Sequence, residues 1–199
     1  MPSNEYHFIT HWRVDGTVEE VDEILGDVPD LVRWWPSVYL EVRELEPGGE
    51  GGVGKLVGLH TKGWLPYTLR WRFRVTESRS PHGFTLEALG DFVGRGIWTL
   101  EQDGRQVKIT YDWKIRTEKP LLRWLSFLLG PIFAANHRWA MARGEESLHL
   151  ELARRRASTP EERARVPPPP GPASSLPPWI AAAMLGAGLL YLTSKSRRS

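Results

Sequence analysis

Cysteine is absent from the 199-residue chain. That excludes disulfides, thiolate zinc sites and a cysteine nucleophile. Charge imbalance is also small: 26 lysines and arginines against 24 aspartates and glutamates leave a formal charge of +2. Nucleic-acid modules concentrate basic residues on one face, whereas here they gather towards the C-terminal end. No nucleic-acid partner is expected. No H-E-x-x-H spacing occurs, the glycines from Gly48 to Gly54 lack the G-K-S/T ending of a phosphate loop, and no G-x-S-x-G segment is present. The expectation is therefore no metal and no cofactor. Met1 to His11 lacks a basic start followed by an apolar run, so it does not read as a secretory signal.

Tryptophan, by contrast, is plentiful, with ten residues. Large rings fill cores and also line pockets for apolar ligands. Many of them fall in alternating segments. Tyr6 to Val14 alternates and predicts a strand. Asp15-Gly16 turns the chain, and Thr17 with Glu20 predicts a capping box ahead of a short helix using Val18, Val21, Ile24 and Leu25. A second short helix is expected over Asp27 to Trp35, ended by Trp34-Trp35-Pro36. Further strands are expected at Val38 to Leu45, Val53 to Thr61, Tyr67 to Thr76, Phe84 to Leu89, Gly94 to Gln102 and Val107 to Ile115. In the clearest, Tyr67, Leu69, Trp71, Phe73 and Val75 make an apolar face opposite Arg70, Arg72 and Arg74. These arginines predict the solvated side of a sheet, with a lipid-headgroup patch as the alternative.

Helical spacing takes over after Glu118. Phe133, His137, Met141, Gly144, Leu148 and Leu152 form one stripe. Gly130-Pro131 predicts a break, with a short helix over Leu121 to Leu129 and the long helix from Pro131. Leu121 to Ala135 is apolar nearly all round, which predicts either burial at the mouth of the sheet or a lid that dips into a membrane. The fold class is therefore α+β: a curved, antiparallel, seven-stranded sheet around a long helix, with a hollow between them. Residues 1–156 form this domain.

Residues 157–178 carry four consecutive prolines and predict an extended, semi-rigid linker. Trp179 to Thr193 is uncharged and is followed by a basic end, 194–199. Such a helix is roughly 22 Å long at ~1.5 Å per residue, short of a ~30 Å hydrocarbon core; Leu176 through Ser194 comes closer. Trp179 and Tyr191 stand where aromatic belts lie. The expectation is a transmembrane tail anchor, with the folded domain on the cytoplasmic side.

The order of elements, D-G-T-V-E-E-V after the opening strand, W-W-P after the second helix, G-I-W-T-L-E-Q-D-G-R-Q-V-K-I-T-Y-D-W and N-H-R-W-A-M-A-R-G-E-E-S-L together resemble the START-like (SRPBCC) superfamily. The resemblance covers roughly Asn4 to Arg156. That superfamily includes polyketide cyclase/dehydrase-like and lipid-transport proteins, and the resemblance implies a helix-grip fold with a cavity for a hydrophobic small molecule. It does not imply a reaction.

His137 is the candidate catalytic residue: on the stripe with Phe133 and Met141, an imidazole could hydrogen-bond a ligand or act as a general base. Its bland alternative is a packed histidine with one structural hydrogen bond. Asn136 lies beside it. The candidate ligand-binding set is Trp35, His60, Trp71, Phe73, Trp98, Tyr111, Trp113, Phe133, His137 and Met141; Trp64 is a further aromatic, and aromatics of this kind more often form core. Asp22, Glu23 and Asp27 read as solubility charges. Three functions compete: binding of a hydrophobic small molecule or lipid near a membrane, a cyclase/dehydrase-like enzyme using His137, and a membrane-tethered interaction module without ligand.

Overall fold

The computed structural model describes residues 5–117 and 120–173; the side chains of 92, 117 and 120–129 lie outside that description. The chain runs β1 (Glu5–Asp15), α1 (Val18–Gly26), α2 (Leu31–Trp34), β2 (Tyr39–Glu46), β3 (Leu56–Lys62), β4 (Thr68–Ser78), β5 (Gly83–Gly90), β6 (Phe92–Asp103), β7 (Gln106–Thr117), α3 (Pro120–Arg156) and α4 (Pro160–Arg165). The strands form one sheet in the order β1-β7-β6-β5-β4-β3-β2. Every neighbouring pair is antiparallel. The alternation in the sequence causes this arrangement. Leu69, Phe73 and Val75 of β4 are buried on the inner face, and Arg70 and Arg72 are exposed on the outer face.

Thr17 caps α1 as expected. Its hydroxyl accepts from the Glu20 N–H at 3.3 Å, and its own N–H donates to the Glu20 carboxylate at 2.9 Å. Val18, Val21, Ile24 and Leu25 are buried. The helix expected over Asp27 to Trp35 is instead a 3-10 turn at Val28–Asp30 followed by the single turn of α2. Trp35 leaves helical geometry immediately before Pro36, as the proline ring requires.

Two expectations about the C-terminal half need correction. First, α3 is one helix of 37 residues with Pro131 inside it. A proline in a helix removes one N–H and its ring crowds the preceding residue. Gly130 supplies no Cβ for that crowding and stands in open space, so the helix continues. Second, the linker is not extended throughout. Thr159 and Glu162 make a second capping box, which starts α4. Beyond α4 the chain turns back along the domain: Arg154 Nη2 donates to the Pro167 carbonyl at 2.8 Å, and Lys62 Nζ donates to the Ala173 carbonyl at 3.2 Å. Carbonyls are the only backbone groups that prolines offer. The tail expected at Trp179 to Thr193, and its basic end, lie outside the described residues. Among the described residues no helix is long and apolar enough to cross a membrane.

The stripe on α3 packs as its spacing predicts: Met141, Gly144, Leu148 and Leu152 are buried. Glu151 lies among them at 1% exposure. Arg33 reaches it with Nη1 at 2.8 Å and Nη2 at 2.6 Å, Arg155 Nε at 2.8 Å, and Arg154 Nη1 at 3.3 Å. Arg33 also grips Asp30, and Arg155 reaches Glu23 at 3.5 Å and Asp27 at 3.8 Å. Glu23 and Asp27 thus belong to an ion network rather than a free acidic surface, and Asp22 accepts the Ser80 hydroxyl. Long-range charge pairing of this kind has no sequence period.

Burial alone would push the Glu151 carboxyl up, but hydrogen bonds from Arg33 and Arg155 hold it below the usual carboxylate range. A depressed pKa contributes stability above the unfolded value, near 4.5, that is lost as pH falls through the folded one. Glu151→Gln should therefore lower stability at pH 7 by about 2–3 kcal/mol, less than for a fully buried pair because Arg33 is half exposed and keeps Asp30. It should also weaken the acid dependence of urea midpoints below pH 4.5. An unchanged midpoint at pH 7 would show that the network is decorative.

Candidate ligand-binding cavity

The inner face of the sheet does not close onto α3. A hollow of about 410 Å³ remains, lined by residues of all seven strands, of α1 and α2, and of α3. Its floor is aromatic. Trp98 stacks on Tyr111 across the β6–β7 ladder at 4.1 Å between ring centroids, Tyr111 on Trp113 at 5.4 Å, and Trp113 meets Trp71 at 5.7 Å. Gly96 makes this stack possible: a Cβ there would lie 2.8 Å from the Tyr111 hydroxyl and 2.9 Å from the Trp113 ring. Trp71 donates its indole N–H to Thr61 Oγ1 at 3.1 Å, and Phe73 continues the lining along β4.

The helix wall carries Phe133, His137 and Met141. Phe133 meets Tyr6 edge-on at 5.9 Å, and the His137 ring stacks on Phe8 at 4.2 Å. His137 Nε2 lies 3.4 Å from Thr10 Oγ1. Burial, reinforced by the charge on Arg138, pulls the imidazole down to about 4, so it is neutral at pH 7. Trp35 closes one flank; its indole N–H is buried without a hydrogen-bond partner among the described residues. Burial raises the Tyr39 phenol, and burial together with the neighbouring Tyr39 raises Tyr111. Both phenols stay protonated and able to donate.

Nine of the ten residues expected from the sequence therefore share this cavity. His60 does not. It points from β3 to the outer face, into a separate groove with Arg43, Arg70 and Arg72, because neighbours of Leu59 and Thr61 on a strand must face the other way. Trp64 sits in the β3–β4 loop outside the cavity lining. Asn136 has a structural job: its Oδ1 accepts from the Trp64 N–H at 2.9 Å and the Leu65 N–H at 3.3 Å. Sequence reasoning missed Tyr6, Phe8 and Tyr39 as lining residues, and Thr10 as the neighbour of His137. The alternation of β1 carried the signal for three of them, since Tyr6, Phe8 and Thr10 share its inner face with Trp12.

Comparison with known proteins gives the fold its class. No family model matches the sequence, and no curated protein matches it. Among solved structures, an aromatase/cyclase (Zhui) of Streptomyces sp. R1128 aligns with a TM-score of 0.64 at 17% identity, covering 77% of this chain and 97% of that one. The protein TTHA0849 of Thermus thermophilus aligns at 0.62 and 12% identity, covering 76% and 100%. A STAR-related lipid transfer protein of Xanthomonas axonopodis aligns at 0.50 and 15%, covering 75% and 87%. The chain has the START/polyketide cyclase-like fold, a helix-grip.

The depressed His137 pKa yields a pH signature. The unfolded chain takes up this proton near pH 6.5 and the folded chain only near 4. Stability therefore rises with pH across that window. Proton-detected titration should show one imidazole unprotonated down to about pH 4, and His137→Phe should remove its share of the stability loss on acidification. A His137 signal that titrates near 6.5 would contradict the packing on Phe8.

Proposed function

We propose that this chain binds an uncharged, mainly apolar small molecule or lipid between its sheet and α3. The observation that carries this reading is the unfilled 410 Å³ hollow, a size usual for small-molecule sites, whose central ionisable groups are all neutral at pH 7. Asp22, Lys55 and Lys62 also belong to the lining, but a charged group held among the aromatic rings would lose its hydration beside neutral side chains. The polar atoms along the walls suit the oxygens of a carbonyl, hydroxyl or ester. His137 and the Tyr39 and Tyr111 phenols can each make a neutral hydrogen bond. Two structural neighbours, an aromatase/cyclase and a lipid transfer protein, support an apolar cargo without choosing between small molecule and lipid.

A cyclase/dehydrase-like reaction is the second reading, favoured by the exposure of the His137 edge to the hollow. General bases work best with a pKa near the working pH, and His137 lies well below it. Asn136 is already spent on loop backbone. Both observations favour binding over turnover. The open hollow also weighs against a tethered module that holds nothing.

A neutral solvatochromic dye, Nile red, is the direct probe. Full-length protein should bind it with a blue shift, and Ala140→Phe, which fills the hollow from the helix wall, should weaken binding by tenfold or more, about 1.4 kcal/mol. Equal dye binding by an Ala140→Phe protein that melts like the parent would defeat the cavity reading. His137→Ala should lower the affinity of a carbonyl-bearing ligand found by native mass spectrometry. If it instead abolishes a reaction while affinity persists, the enzyme reading takes over.

The uncharged run Trp179 to Thr193 supports a membrane tether close to this cavity. Full-length chain should pellet with membranes and resist alkaline carbonate extraction. Recovery in the supernatant would remove the membrane from this reading and leave the cavity untouched.

A further inference from the structure

The outer face of the sheet carries a second feature that the cavity does not use. Most of its charges are paired: Arg74 with Glu46 at 2.8 Å, Arg95 with Glu77 at 3.6 Å, and Lys108 with Asp103 at 2.7 Å. Arg70 and Arg72 are exposed and have no carboxylate partner among the described residues; Asp91 accepts the backbone N–H of Arg70 rather than its guanidinium. They stand over a groove of about 330 Å³. Its origin is Gly58, which lies between Arg43 on β2 and Arg72 on β4 in one cross-strand row. With no side chain in the middle, the two guanidinium-bearing strands flank a gap of roughly 10 Å, two strand spacings. His60 and Arg70 occupy the next row, and Glu41 engages Arg43.

Two further observations say what covers this face. Leu45, half exposed, packs beside Gly58 of this groove, its Cδ1 3.5 Å from where a Gly58 Cβ would be. An exposed leucine beside unpaired arginines suits an interface that is apolar within and anionic at its surface. The path of the chain is the second. The Ala173 carbonyl is held by Lys62, two residues beyond His60 on the same strand. The uncharged run Trp179 to Thr193 begins six residues further on, and six residues of chain reach at most ~21 Å.

We propose that the outer face of β2–β4, centred on Arg70, Arg72 and Leu45, docks onto a bilayer containing anionic phospholipid. The tether reading above supplies the orientation, and the arginines and Leu45 supply the contact. Docking in this pose sets the β3–β4 end of the cavity, at Lys62 and Gly63, beside the membrane.

The absence of cysteine provides the experiment. Full-length protein carrying Leu45→Cys, labelled with an environment-sensitive nitrobenzoxadiazole dye, is reconstituted with phosphatidylcholine vesicles, with or without phosphatidylglycerol. Doxyl-lipid quenching should appear only with phosphatidylglycerol and should fade at high salt. Each arginine near an anionic surface contributes about fivefold to the docking equilibrium, so Arg70→Gln/Arg72→Gln should weaken docking roughly 25-fold and return quenching to the neutral-vesicle level. The same dye at Ile9→Cys, exposed on the far edge strand, should stay unquenched. Equal quenching at both positions, or quenching indifferent to the arginine pair, overturns the proposal and leaves the arginines to a soluble acidic partner. Failure of the full-length chain to float with neutral vesicles reports separately on the tether.

Discussion

The cavity exists because α3 packs closely on the domain at one end and is held away from the sheet at the other. The close contact is Gly144 against Trp35. A Cβ at Gly144 would stand 2.3 Å from the indole ring, nearer than any real packing allows. Only glycine lets the helix backbone lie directly on that ring. Leu148, Leu152 and the Glu151 network continue the contact towards the C-terminus. Going the other way, the side chains on the same stripe grow. Met141, His137 and Phe133 rest on rings from β1 or face the hollow itself. A rigid helix that is tight at its C-terminal half and propped at its N-terminal half leaves a wedge, and the wedge is the binding space.

A wedge lined by rings must still be prevented from collapsing. Close-packed interiors fill available space when side chains can move. Here the floor is fixed by stacking from Trp98 through Tyr111 and Trp113 to Trp71, and the last ring is tethered to Thr61. Trp12 extends the chain of rings from Trp98 to Trp35, each contact at 5.5 Å. Rings locked by one another and by a hydrogen bond cannot rotate singly into the hollow. Asn136 does the same for the rim, tying α3 to the β3–β4 loop; Gly63 allows that approach, since a Cβ there would meet the carboxamide at 2.1 Å.

The sheet and the helix stripe were legible because both rest on strict periods. Alternation placed Trp71, Phe73, Tyr111 and Trp113 on one face, and spacing by three and four put His137 between Phe133 and Met141. The same rule of two should have turned His60 outward, since Leu59 and Thr61 flank it. Charge pairing was illegible: Glu151 meets Arg33 across 118 residues of sequence, and no local pattern encodes that. Pro131 misled because proline statistics describe an average helix, whereas Gly130 relieves the local clash. Tyr39 hid at the start of a short, irregular edge strand, where a bulge interrupts the alternation.

The proline-rich stretch bears on function through its hydrogen-bonding capacity. A polyproline segment presents carbonyls in a regular row and almost no donors. It therefore binds to surfaces that offer donors, and the domain offers Arg154 at one point and Lys62 at another. The first contact lies at the tight end of α3 and the second at the β3–β4 end of the cavity. Residues that would wander as a flexible linker are thus laid across the domain from its closed end to its open one. Stiffness converts this path into orientation. Whatever follows Ala173 starts from a fixed point beside the rim formed by Lys62, Gly63 and Asn136, so the site and the end of the linker face the same neighbourhood.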